Sequence, residues 1–392
     1  MRFDFLIINV TGDYWESIFE DYESIIWTVN HNDVGECEIK APATEANLNL
    51  LKMNRLVMNM NKAKVTVPGY NVNNPRAAYT TQRVNEGCII TSVEIDDATH
   101  TITAKGKSLE YLLTYRVDDN IRNFTGSSTT EYSKLISSVI ADFDAQFGQP
   151  PIFRDGLLME YSADKYRSLV SPSNVTLEAS WNDYLELAQK LVSLTDEYGF
   201  RLFMLPPQDE SGERGVCFEV IALRNGKATF SDELDNLSGF KISKSCEGYN
   251  DGALVLGEGE GSNRIYEWFP RVPERTGINV RYVAIDARDM QSADYSSTSD
   301  YRFALQFRGR DKKVSPVTTY EFEVDATTQF RYRDDFYIGD SVNIVSKKYG
   351  VILTAQVAQA VETYSADGYK VAISVGNVRE NLAKRLNKRY GR

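Results

Sequence analysis

Few side chains in this sequence are suited to covalent or metal chemistry. The two histidines, His31 and His100, each lie in or beside a run of turn residues. A two-histidine metal site would need those turns to meet in space, so each reads as a solvated turn histidine. Neither stands in a motif that would let it act as general base to a serine or cysteine nucleophile. Cys37, Cys88, Cys217 and Cys246 form no CxxC pair, which removes the usual zinc and redox spacings and leaves them as reduced core thiols. Gly257 to Gly261 could cradle a phosphate, but the stretch lacks both the Lys-Ser/Thr of a P-loop and GxGxxG spacing. Glu258 and Glu260 would repel an anion, so its glycines read as a β-bulge or tight crossing. Acids are plentiful, among them Glu94, Asp96, Asp97, Asp334, Asp335 and Asp340. A glycosidase pair is defined by separation in space, whereas acids at turns and strand ends are mostly solvated. There is no EF-hand spacing for calcium. The sequence therefore assigns no catalytic, cofactor-binding or metal-ligating residue, implies no cofactor, and is expected not to encode an enzyme.

The elements that would position any site are mainly strands. A chain of 392 residues exceeds what one hydrophobic core usually supports, and 42% hydrophobic with 11% aromatic residues gives a folded composition. The 23 Tyr and 18 Phe are expected to fill β-cores and subunit contacts, the alternative being a carbohydrate-binding face. A net charge of −11 argues against a protein that binds nucleic acid by neutralising phosphates, while leaving an acidic wall past which DNA slides. The amino terminus has too short an apolar run for a signal peptide, and no membrane-spanning segment is expected.

Alternating apolar residues around His31-Asn32-Asp33-Val34-Gly35 predict a β-hairpin over Ser24 to Ile39. A short helix is expected within Thr44 to Met53, then a strand at Arg55 to Met58 and a long loop from Pro68 to Tyr79. Strands follow at Gly87 to Val93 and Thr101 to Ala104, and a short helix at Ser108 to Tyr115 ends a first β-barrel domain, 1–115. An α+β domain, 116–238, carries a helix after Thr130 and a second helix opened by Ser180. That second helix has an expected buried face of Trp181, Tyr184, Leu185, Ala188, Leu191 and Val192, and a hairpin over Phe200–Leu205 and Gly215–Leu223 follows it. A second barrel, 239–376, holds an inserted β segment at about 265–320, with a strand at Phe303 to Phe307 and a mobile loop at Ser292 to Ser299. A basic tail, 377–392, closes the chain.

Two distant segments share a pattern. Gly87 to Val93, a polar turn and Thr101 to Gly106 parallel Gly350 to Val357, a polar turn and Lys370 to Gly376. Each has a further strand upstream, at Arg55 to Met58 and at Ser341 to Ile344. Either a duplication or the common look of β-hairpins accounts for this. Three copies of a chain with two related barrels would present six similar domains around an axis, which could dock on a six-fold tube.

Several stretches resemble one family. These are Trp27-Thr28-Val29 through Val34 to Pro42 with Leu51, Asn54 and Val57; Gly106 to Leu113; and Gly257 to Gly261 with Arg264. The strongest is Tyr337-Ile338-Gly339-Asp340-Ser341-Val342, with Val357, Tyr364, Asp367-Gly368 and Val375-Gly376. Together they are similar to the hub or tail-associated proteins of phage tails, relatives of the central hub of contractile baseplates. Cys37 departs from the pattern, where a larger apolar residue is common. The resemblance implies two β-barrel hub domains and a homotrimeric ring at the tail tip of the virion that closes the tube and lets tape-measure protein and DNA pass. Its implied partners are the distal tail protein ring and tip or receptor-binding proteins. Longer members append a lysin or receptor-binding region after the second barrel, which is not expected here. Alternative readings are an envelope-degrading tail-associated hydrolase and a carbohydrate-binding fibre adaptor.

Overall fold

The computed structural model describes residues 5–9, 14–68, 79–115, 122–127, 159–160, 174–179, 183–192, 198–204, 214–226, 228–246, 249–273, 275–313, 317–324 and 329–376. The helix expected after Thr130 and the basic tail lie outside them, as do Ser180, Trp181 and most of the Pro68 to Tyr79 loop. The protein is mainly β. In chain order the strands are β1 Phe5–Asn9, β2 Trp15–Phe19, β3 Ser24–Asn30, β4 Asp33–Pro42, β5 Leu56–Pro68, β6 Tyr79–Asp96 and β7 Thr101–Ser108. There follow β8 Arg122–Ser127, β9 Met159–Glu160, β10 Asn174–Ala179, β11 Tyr198–Met204, β12 Val216–Ala222, β13 Thr229–Ser231 and β14 Ser238–Ser245. The last are β15 Gly252–Leu256, β16 Tyr266–Phe269, β17 Tyr282–Asp286, β18 Val317–Val324, β19 Ser341–Ser346, β20 Val351–Ser365 and β21 Gly368–Gly376. Among the described residues the α-helices are α1 Glu45–Leu50, α2 Tyr184–Val192 and α3 Thr298–Asp311.

The chain divides into two compact units. The first comprises Met1–Phe240 with Phe322–Val375, and the second is built on Lys241–Glu321. In the first unit one sheet, curled as a half-barrel, runs in the order β21-β20-β3-β4-β7-β6-β11-β12-β9. The two repeated segments belong to this one sheet, β20 of the second pairing antiparallel with β3, which β4 joins to β7 of the first. Their construction is alike. β6 pairs with β5 along its first part and with β7 along its second, with a register shift between Ile90 and Ser92. β20 pairs first with β19 and then with β21, with a shift between Val357 and Gln359. A bulge at the change of partner lets one long strand bend and serve both neighbours.

Burial follows side-chain alternation where one face is wet. In β3, Ile25, Trp27 and Val29 are buried, and in β20 so are Ala360, Glu362 and Tyr364. The middle of β6 is covered on both sides, since Asn85 through Ile90 are all buried. On one of these sides lies a core shared by Ile89, Leu109, Leu112, α2 and the β11–β12 hairpin. Tyr184, Leu185, Ala188 and Val192 face it, joined by Leu187. The Asp183 carboxylate accepts from the Glu186 backbone N–H at 2.7 Å and so caps the first turn of α2.

In the second unit β15 pairs antiparallel with β16 and parallel with β17. The expected strand at Phe303 to Phe307 is instead part of α3. Its N-cap Ser297 accepts from Asp300 N–H at 3.1 Å. Tyr301 and Leu305 are buried four residues apart against Ala253 and Val255 of β15. The apolar alternation of Phe303, Leu305 and Phe307 suggested a strand, but Phe303 and Phe307 are solvent-exposed partners on the outer face of the helix. The expected mobile loop at Ser292 to Ser299 is a 3-10 turn, Ser292–Asp294, leading into that cap.

Candidate functional site

The most concentrated chemistry lies inside the curl of the first unit, built on one cation. Arg333 is 2% exposed, and the structure gives it a left-handed backbone with φ 74°. Its Nε donates to Glu362 Oε1 at 2.9 Å, and its Nη2 to Glu362 Oε2 at 2.5 Å and Glu86 Oε2 at 2.6 Å. Its Nη1 donates to the Asn61 carbonyl at 2.9 Å. Glu86 comes from β6 of the first repeat and Glu362 from β20 of the second, so a single guanidinium joins the two.

The carboxylate oxygens take further donors. Trp27 Nε1 donates to Glu86 Oε2 at 2.9 Å, and the Tyr337 hydroxyl donates to Glu86 Oε1. The hydroxyls of Tyr364 and Tyr369 donate to Glu362 Oε1 at 3.0 and 2.5 Å, and Asn59 Nδ2 donates to the Tyr364 oxygen at 3.1 Å. Glu362 and Trp27 are register partners on adjacent strands, which puts their side chains next to each other. Burial works against ionisation of Glu86, yet Arg333, Arg201 and the Tyr337 hydrogen bond outweigh it and hold its pKa below the usual carboxylate value. Burial, reinforced by the neighbouring carboxylates, keeps Tyr337 and Tyr364 protonated as donors well beyond the ordinary phenol range.

A second buried ion pair extends the network. Arg201 Nε of β11 lies 3.4 Å from Glu110 Oε1, and both side chains are at most 2% exposed. Glu110 also accepts from Leu202 N–H at 2.9 Å, and Arg201 donates to the Asn30 carbonyl at 2.9 Å. His31, at the β3–β4 turn, is packed rather than freely solvated. Its ring lies where a side chain on Gly199 or Gly339 would have to go, and burial, aided by Arg201, lowers its pKa to about 4. His100 is an exposed turn residue.

Tyr337 to Ser341 form a corner beside the clamp. Buried Asp340 accepts from Arg224 N and Nε at 2.9 and 2.8 Å and from Tyr337 N at 2.8 Å. Burial raises its pKa, partly offset by Arg224. Gly339, at φ 84°, donates to the Val357 carbonyl at 2.8 Å, and Val357 N donates back to Asp340 O at 2.8 Å. The corner is thus fixed to the bulge of β20.

Of the acids singled out in the sequence, Glu94, Asp96, Asp97 and Asp335 are exposed, Asp334 is half-buried and only Asp340 is buried. The buried carboxylates Glu86, Glu110 and Glu362 were not singled out. One signal was available, an acid in the inward register of Ala360, Glu362 and Tyr364. Cys37, Cys88 and Cys217 are buried as expected, whereas Cys246, just past the end of β14, is exposed. Gly257 to Gly261 form a tight turn: Gly259 and Gly261 have φ 97° and 55°, and Gly257 lies against Tyr301 and Leu305. Among the described residues no three His, Cys, Asp or Glu side chains gather as a metal site. Glu86 and Glu362 are also shut away from substrate, with side chains 2% and 0% exposed. What this arrangement can do is hold two halves of a sheet in one geometry.

Fold and network together define a mainly β protein whose two sheet repeats are fastened by a buried ionic clamp. Over residues 13–377 the sequence matches the family described as Siphovirus ReqiPepy6 Gp37-like protein, and the chain belongs to that family. No curated protein sequence matches it. Among solved structures it is similar to prophage tail protein gp18 from Listeria monocytogenes EGD-e, at 13% identity and TM-score 0.46, covering 98% of each chain. A tail protein from Neisseria meningitidis MC58 gives 10% identity and TM-score 0.48 over 96% of this chain and 97% of the other. The 43 kDa tail protein of prophage MuSo2 from Shewanella oneidensis gives 11% and 0.47 over 95% and 98%.

Proposed function

We propose that this chain is a structural subunit of a siphovirus tail. As a homotrimeric hub at the tail tip it closes the tube and lets tape-measure protein and DNA leave, between a distal tail ring and tip or receptor-binding proteins. One observation carries the reading. Two repeats of like construction, β5–β6–β7 and β19–β20–β21, share one sheet and one buried cation. Three such chains would offer six comparable β units, the number needed to match a six-fold shaft through closed symmetric contacts. A rigid clamp suits this role, because six similar surfaces remain similar only while the two repeats keep a fixed relation.

Light scattering on the purified protein, alone and mixed with its neighbouring tail proteins, tests this. The expected mass is three times the 44.4 kDa chain, in a ring with a bore visible by negative stain. A strict monomer under both conditions, or gold labelling that places the chain away from the tail tip, would overturn the proposal.

A further inference from the structure

The second unit carries an open groove that neither the ionic clamp nor the hub reading uses. Its volume is about 580 Å³, and Ser262, Asn263, Tyr266, Trp268, Arg271 and Arg302 line much of it. Side chains alternate across β16, so Glu267 is buried while Tyr266 and Trp268 share the other face, 55% and 40% exposed. At about 3.4 Å rise per residue the backbone positions of Tyr266 and Trp268 stand roughly 7 Å apart on this face. The charges are unbalanced. Three arginines, Arg264, Arg271 and Arg302, line the groove with one acid, Glu267; Arg264 is paired with Asp286 at 2.5 Å, which leaves Arg271 and Arg302 against Glu267. Arg271 and Arg302 both bind that single carboxylate, at 3.0 and 2.6 Å, with their side chains 68% and 47% exposed. This local excess of positive charge stands on a chain of net charge −11.

We propose that this groove binds an acidic saccharide chain. Its rings stack on Tyr266 and Trp268, Ser262 and Asn263 hydrogen-bond its hydroxyls, and Arg271 and Arg302 meet its carboxylate or phosphate groups. The lining favours a sugar over a peptide. A peptide strand added to a sheet edge needs a run of backbone partners and apolar pockets for alternate side chains. Here β16 is four residues long, Pro270 follows it, and most of the lining is polar. Aromatic rings flanked by polar groups, and guanidinium forks matched to carboxylate or phosphate, suit a hydroxylated anion.

The test is calorimetric titration of the full chain with three hexasaccharides, an oligogalacturonide, a phosphorylated mannan fragment and neutral maltohexaose, and with hexaglutamate. At least one acidic sugar should bind with a Kd at or below about 1 mM, weakening as salt rises, and maltohexaose about fivefold more weakly or worse. The stronger of the two acidic probes identifies the anionic group. Trp268→Ala should weaken binding about tenfold through loss of ring stacking. Arg271→Ala should weaken it about fivefold and reduce the salt dependence, while Glu267 keeps Arg302 and Gln306 as partners. Should Trp268→Ala unfold, Tyr266→Ala, at a more exposed ring, takes its place. Absence of binding by both acidic sugars to about 5 mM would overturn the proposal. So would binding unchanged in both ring variants, or hexaglutamate binding as tightly as the sugars. A monomeric, non-hub protein could still pass this test, and a trimeric hub could still fail it.

Discussion

Arg333 faces two buried carboxylates with one positive charge, and four other side chains have arranged their donors around those carboxylates. Such a cluster contributes little net stability over an apolar core, but removing one member leaves uncompensated charge in a dry place. Arg333→Met should therefore cost about 3–5 kcal/mol at neutral pH, read as a fall in the midpoint of denaturant unfolding. The cost depends on pH. In the native protein Glu86 has a depressed pKa, so its contribution is complete above the ordinary carboxylate value and lost as pH falls through the folded pKa. In the variant burial prevails, the Glu86 pKa rises above its unfolded value, and its contribution is complete at low pH and lost as pH rises. The difference between the two proteins should thus be small near pH 4 and grow toward pH 7. Adding Glu86→Gln and Glu362→Gln to the variant removes both buried charges while leaving acceptors for Trp27 and the tyrosines, and should recover part of the loss. A deficit independent of pH would show that packing, not charge, dominates at this position.

At the scale of elements, the Tyr337–Ser341 corner and the β20 bulge act as one joint, and Gly339 is its least replaceable residue. It has φ 84°, and a Cβ there would stand 2.7 Å from both the His31 ring and Leu223. Gly350, at φ 63°, has nothing within 4 Å of that point. Gly339→Ala should cost about 2–5 kcal/mol from backbone strain plus overpacking, and Gly350→Ala only the backbone share of about 1–2 kcal/mol, compared by denaturant midpoints. Equal losses would mean that contact with His31 contributes nothing. In the sequence this corner stands out only through the family resemblance of Tyr337 to Val342, and Asp340 reads as one of the solvated acids at turns and strand ends, whereas it is buried. Hairpins with wet outer faces were legible from alternation. The clamp was not. Glu86 lies in a part of β6 buried on both faces, where alternation carries no information, and its partners Arg333 and Tyr337 are 247 and 251 positions away. The helix α3 was hidden by its own exposed rings, since Phe303 and Phe307 point outward and mimic the period of a strand.

Across the whole molecule, the distribution of charge decides what the outer face of the curled sheet can touch. Register places Glu36 opposite Lys107 and Glu38 opposite Lys105, with Lys40 pairing Glu23 nearby, so acids and bases alternate over β4 and β7. Each such pair is exposed and is worth at most about 1 kcal/mol. Their collective effect is larger, because Lys40, Lys105 and Lys107, which could each hold a phosphate, already have a carboxylate beside them, on a chain of net charge −11. The intact protein should therefore show no retention of duplex DNA by fluorescence anisotropy at about 0.15 M salt, where basic proteins bind non-specifically at roughly 10⁻⁴ to 10⁻⁶ M. Replacing Glu23, Glu36 and Glu38 together by glutamine frees three lysines and should leave the unfolding midpoint nearly unchanged. It should also create DNA binding that disappears as salt rises, with up to three counterions released. If the triple variant binds DNA no better than the parent, the paired acids are not what keeps this face from adhering, and the explanation must lie in the chain's overall negative field.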